Sequence, residues 1–245
     1  MRYFKFLTLM FIFIFFFSCH KKEQVINPNA KDYFPLATGN YWEYSVMHWE
    51  VAEGQDSILE EDKIVQLVVD DKSIVKGKEF FKINRYDMEI YSEDNDSSIS
   101  SSRRYYLRTE DEFLLIRGCD GEGNVLIDTL FHHPNIRNGK HWYVKGMYFD
   151  EGGLPYQAIY AGEEVVKLRI DSFNCVKINY SIDPNEDPGC DEFYFFEEED
   201  FHTASFWYAK GVGIVKIVAE YLDEESGAKD VYIWKLRDYY IKKEQ

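Results

Sequence analysis

Cys19 is the residue of this chain best placed to do chemistry. Arg2 and Lys5 form a basic start, Phe6–Phe17 is apolar apart from Thr8, and small Ser18 stands just before the cysteine. As a helix, that apolar run would reach about 18 Å, short of the ~30 Å hydrocarbon core that a spanning helix must cross. It reads as an export signal removed before Cys19. Ser18-Cys19 resembles a bacterial lipobox, in which the thiol takes a diacylglycerol and the cysteine becomes the first mature residue. Phe16 and Phe17 replace the leucine and small residue usual upstream. No aspartate follows Cys19, and His20-Lys21-Lys22-Glu23 holds no clear acidic run. The expected location is therefore the bacterial outer membrane, lipid-anchored, with the periplasmic face favoured.

The remaining reactive residues point to less. Cys119, Cys175 and Cys190 permit one intramolecular bridge. Cys175 with Cys190 is the nearest pair in sequence, and three unbridged thiols in or near the core are an equal alternative. No zinc spacing is present. His132, His133 and His141 could converge on a metal, but consecutive strand residues point to opposite faces and the polar neighbours suggest exposure. Asp120–Asn124 and Asp183–Asp191 carry oxygen ligands without the full calcium-loop pattern, and read as turns. Glu197-Glu198-Glu199-Asp200 with His202 reads as a solvated charge run. There is no Gly-x-Ser-x-Gly elbow, no phosphate-cradling glycine loop and no His-Glu-x-x-His. Paired carboxylates are too common in this chain to mark a glycosidase. Neither catalytic residues, nor a metal, nor a cofactor is expected.

The elements that would position these residues are short and numerous. Residues 1–18 are the signal, 19–31 a polar tether, and 32–241 a single domain. Loss of Arg2 and Lys5 with the signal leaves 26 basic against 44 acidic residues, a net charge of −18. Nucleic acid and anionic lipid surfaces would repel such a chain. Of 43 aromatic residues, eight fall in the signal, and the 35 that remain favour pleated sheet. Apolar runs such as Tyr41–Val51, Ile64–Val69, Phe113–Arg117, Phe173–Ile182, Gly213–Leu222 and Asp230–Tyr240 are separated by turn clusters. Glu93–Ser102, acidic and serine-rich, reads as a long loop. No 15-residue window holds a helical apolar period. The expected fold is all-β, mainly antiparallel.

One device occurs twice. Pro35, Gly39 and Trp42 are echoed by Pro134, Gly139 and Trp142, each set a proline, a spacer, a glycine, two residues and a tryptophan. This predicts two similar β-meanders, each opened by a turn that delivers a core-facing tryptophan.

Three segments resemble a family of exported bacterial proteins. Phe34–Tyr44 matches its Phe-Pro-Leu-x-x-Gly-x-x-Trp-x-Tyr opening, and Tyr208–Val215 its closing Tyr-Ala-x-Gly-x-Gly-x-Val. Val165–Ile178 is similar to its central strand pair, with Asp171-Ser172 where Ala-Gly-Thr is preferred. The resemblance implies a curved open sheet, a half-barrel similar to the LolA-like lipoprotein carriers, and no established activity. Gly211 and Gly213 then look like turn or bulge residues. On a concave sheet face, Trp42, Tyr44 and Trp207 could line a trough for a hydrophobic ligand, unless the chain's own residues fill it. The expected role is non-catalytic binding of a hydrophobic ligand or partner lipoprotein, with a structural or assembly role in the envelope as the alternative.

Overall fold

A computed structural model describes residues 29–51, 60–90, 97–120, 125–132, 141–144, 148–149, 156–182, 201–222 and 229–242. Residues 1–28 lie outside it, so the export segment, Cys19 and nearly all of the tether do too.

The described chain opens with a one-turn helix, α1 (Ala30–Tyr33), whose first amides are capped by the Asn29 side chain accepting from Lys31 N. Thirteen strands follow: β1 Tyr41–Val51, β2 Glu60–Val75, β3 Lys78–Ile90, β4 Ser97–Glu110, β5 Phe113–Asp120, β6 Val125–His132, β7 His141–Val144, β8 Tyr148–Phe149, β9 Tyr156–Lys167, β10 Ser172–Ser181, β11 Thr203–Ala209, β12 Gly213–Leu222 and β13 Lys229–Tyr240. Alternation sets which face each strand buries. In β1, Trp42, Tyr44 and Val46 are buried while Tyr41, Glu43 and Ser45 are half-exposed. Mirror-image turn geometry makes the tight β2–β3 connection, where Lys76 and Gly77 both take positive φ, 48° and 75°. That geometry matches the natural twist of a hairpin.

All strands join one sheet in the order β6-β5-β4-β3-β2-β1-β13-β12-β11-β10-β9-β7, antiparallel throughout, with short β8 added in parallel on β5. The two meanders are real: β1–β6 form one, and β7 with β9–β13 the other. Trp42 and Trp142 each occupy the second position of the strand that opens its half. The halves join through β1 and β13, paired antiparallel from Tyr41↔Tyr240 to Val51↔Lys229 with a bulge between Glu43 and Tyr44. The curvature goes beyond half a barrel. The sheet curls until edge strands β6 and β7 lie side by side, leaving one seam across which the Trp142 indole donates to the Thr129 carbonyl at 3.0 Å.

One expected loop is partly strand. Ser97–Ser102 continues β4 and pairs with β3, for instance Met88↔Ile99 and Tyr86↔Ser102. Backbone ladder bonds are indifferent to side-chain polarity, so the serine-rich composition was a poor guide there.

Candidate functional site

The interior is occupied by the chain itself. Phe34, Trp42, Tyr44, Tyr105, Phe131, Tyr156, Tyr180, Phe206, Tyr208 and Trp234 are all buried within it. Three of their polar tips find backbone partners: Trp42 Nε1 donates to Val212 O, Tyr44 OH to Ile214 O at 2.9 Å and Tyr180 OH to Leu130 O at 2.6 Å. Buried tyrosines satisfied in this way are core, not ligand surface. Burial pushes the Tyr44, Tyr180 and Tyr208 hydroxyls above the ordinary tyrosine range.

The opening and closing motifs turn out to be two halves of one joint. Phe34 stacks on Trp42 with ring centroids 4.9 Å apart, and Trp42 lies against Gly213. A Cβ on Gly213 would stand 2.9 Å from Trp42 Nε1, and its φ is +115°. Gly211 N donates to Asp32 O, and Ala30 N donates to Asp111 O at 2.7 Å. Thus α1 closes one end of the barrel between the β4–β5 and β11–β12 turns. Trp42 and Tyr44 are both buried in this core, the filled alternative to a ligand-lined trough that the sequence left open.

Nearer the other end the interior turns polar. Arg85, 1% exposed, forks onto Asp87, with both bonds 2.6 Å long. Lys63 stands 3.7 Å from the same carboxylate, and the Arg85 guanidinium lies over the Trp234 ring at 5.2 Å. His48 meets Asp230 at 2.8 Å and stacks on Tyr232 at 4.5 Å. A bidentate guanidinium thus holds the buried Asp87 carboxylate inside the barrel.

Trp207, the third expected ligand residue, lies on the opposite, outer face. Register places it between Lys177 of β10 and Lys216 of β12. Both ammonium groups stand over its ring, at 4.7 and 4.5 Å, and its indole donates to Glu164. Lys216 in turn faces Lys235 of β13. Partial burial lowers the Lys216 ammonium pKa, and Lys235 and Lys177 lower it further against the opposing pull of Glu164. Beside this row, the tip of the β9–β10 hairpin and the outer face of β1 and β13 bound a groove of about 680 Å³. Its lining is Ser45, Lys167, Leu168, Arg169, Ile170, Lys235, Leu236 and Arg237.

Sequence reading missed this groove. Its trace was there in Lys167-x-Arg169 and Lys235-x-Arg237, basic pairs at strand spacing in a strongly acidic chain. Nothing local showed that a hairpin tip would bring the two pairs together.

Cys175 is a buried free thiol, its Sγ 3.4 Å from Phe173 O, and burial pushes its pKa up to about 12. Cys190, one partner of the bridge that the sequence allowed, lies outside the described residues. His132 is buried rather than exposed: it meets Glu112 Oε1 at 2.9 Å and stacks on Phe113 at 4.5 Å. His141 is exposed and His133 lies outside the described residues. No group of three metal-ligating side chains occurs among the described residues, and no helix among them is long and apolar enough to cross a membrane.

No protein-family model matches this chain, and no curated protein matches it in sequence. Among solved structures it is similar to a candidate exported protein with a YmcC-like fold from Bacteroides fragilis NCTC 9343. That chain is 13% identical, with a TM-score of 0.45, covering 84% of this chain and 99% of the other. It is also similar to a candidate lipoprotein from Parabacteroides distasonis ATCC 8503, 12% identical with a TM-score of 0.39, covering 84% and 98%.

Proposed function

We propose that this is a non-catalytic envelope lipoprotein, anchored through Cys19 in the outer membrane with its domain on the periplasmic side, that works through its outer surface. The observation that carries this reading is the described interior, packed with aromatic side chains, among which Trp42, Tyr44 and Tyr180 bond to the barrel's own backbone. A barrel filled in this way is a rigid scaffold. It favours contacts with another envelope component over carriage of a hydrophobic ligand inside the sheet. Support for the anchor comes from the apolar run ending in Ser18-Cys19, and three acyl chains would hold far beyond the marginal grip of a single one.

Native mass spectrometry of protein extracted gently from membranes tests both halves. The expected mass is that of a chain starting at acylated Cys19, without stoichiometric lipid beyond the covalent chains. A releasable lipid whose loss opens the fold would overturn the filled-scaffold reading. Cys19→Ala should move the protein out of the membrane fraction or stall its processing, and unchanged partition would overturn the anchor.

A further inference from the structure

In a chain of net charge −16, the outer face of the second meander gathers positive charge. Lys167 and Arg169 from the hairpin tip meet Lys235 and Arg237 from β13 around one groove, with Lys216 and Lys177 beside it. Lys216 and Lys235 stand directly opposite each other on adjacent strands, an arrangement that destabilises a sheet. Counter-charge is scarce. Arg237 meets Glu43 at 3.1 Å and Glu164 takes the Trp207 indole, while Lys167 and Arg169 form no ion pair among the described residues. Among the described residues, Lys235 Nζ reaches the sulfur of Met47, at 3.7 Å, and no carboxylate.

A cluster that costs stability and sits in a concave groove of small-molecule dimensions is what an anion site needs. We infer that this groove binds a phosphate-bearing ligand, the phosphate held by Lys167, Arg169, Lys235 and Arg237. Phosphate suits the site better than a single carboxylate. It brings close to two negative charges and three acceptor oxygens, enough to engage the Arg169 and Arg237 forks and both ammonium groups at once. Leu168 and Ile170 on the hairpin side give the organic part of the ligand an apolar wall.

Lysine acetylation footprinting of the full-length protein in maltoside micelles tests this, because such micelles hold no phosphate. Pyrophosphate at low salt should slow acetylation of Lys167 and Lys235 at least fivefold and leave Lys72, an exposed lysine paired with Glu79 outside the groove, unchanged. Micelles doped with phosphatidic acid, whose headgroup is a phosphomonoester, supply the second source. Protection by pyrophosphate identifies a soluble phosphate compound as sufficient; protection by the doped micelles alone identifies a lipid headgroup. Arg169→Ala with Arg237→Ala should abolish either protection while the chain stays folded by circular dichroism. Protection in neither arm, or equal protection of Lys72, overturns the proposal. The pyrophosphate arm does not depend on the acyl anchor, so a failed anchor and a failed groove are told apart.

Discussion

Gly213 earns its place through the indole above it. Alanine there would need a backbone angle of φ +115° and would push a methyl to 2.9 Å from Trp42 Nε1, so a loss of about 1–3 kcal/mol is expected. Trp42→Ala should cost roughly 3–5 kcal/mol, as for other buried large aromatics. The Trp42→Ala/Gly213→Ala double variant should lose less than the sum, because the clash disappears with the indole. Urea denaturation of all three variants checks this, and strict additivity would refute the contact. Cys175 gives a second prediction. With its thiol pushed up to about 12 and buried, it should resist thiol reagents at pH 8 and react readily once urea unfolds the chain. The thiol and the buried tyrosine hydroxyls stay protonated in the fold at pH values where the unfolded chain ionises them. The stability they contribute is full below about pH 9 and is lost as pH rises through 10 toward 12 and beyond. The urea midpoint should therefore fall steeply over that range.

Elements show how far local patterning reaches. The alternation of Trp42, Tyr44 and Val46 was enough to give β1 its buried face, and the Pro–Gly–Trp echo was enough to pair β1 with β7 as openings of two halves. What local patterning could not convey was closure. Whether Trp42 lines a trough or a core depends on strands 170 residues away in the chain. Trp207 alternates with Phe206 and Tyr208 in a run that is apolar on both sides, so parity alone could not say which of them point inward. The seam makes a prediction at this scale. Trp142 is only half-buried and ties β7 to β6 through Thr129 O. Trp142→Phe should leave global stability within about 1–2 kcal/mol while amide exchange in β6 and β7 accelerates more than elsewhere. Uniform acceleration would mean that the seam is not a local unit. The charged layer tests differently. Asp87→Ala strands the Arg85 charge in the barrel and should cost about 3–5 kcal/mol, whereas replacing both partners with apolar residues should recover much of it. Thermal melts of the three proteins decide the matter.

At the scale of the whole molecule, the first and last strands are neighbours in the middle of the sheet, while the two edges come from the middle of the chain. Every other neighbouring pair in the order joins strands close in sequence, but β1 and β13 meet across a separation of 197 residues, as at Tyr41 and Asp238. Time is the hidden variable in that layout. Each meander can assemble from local hairpins on its own schedule, whereas joining β1 to β13 must wait for the largest loop to close. Trp42 waits as well, because its acceptor, Val212, belongs to the other half. In a chain whose other tryptophans are phenylalanine, refolding should show sheet circular dichroism rising first and Trp42 fluorescence shifting in a later, slower phase. The indole at the heart of the finished barrel is thus a clock for its final step.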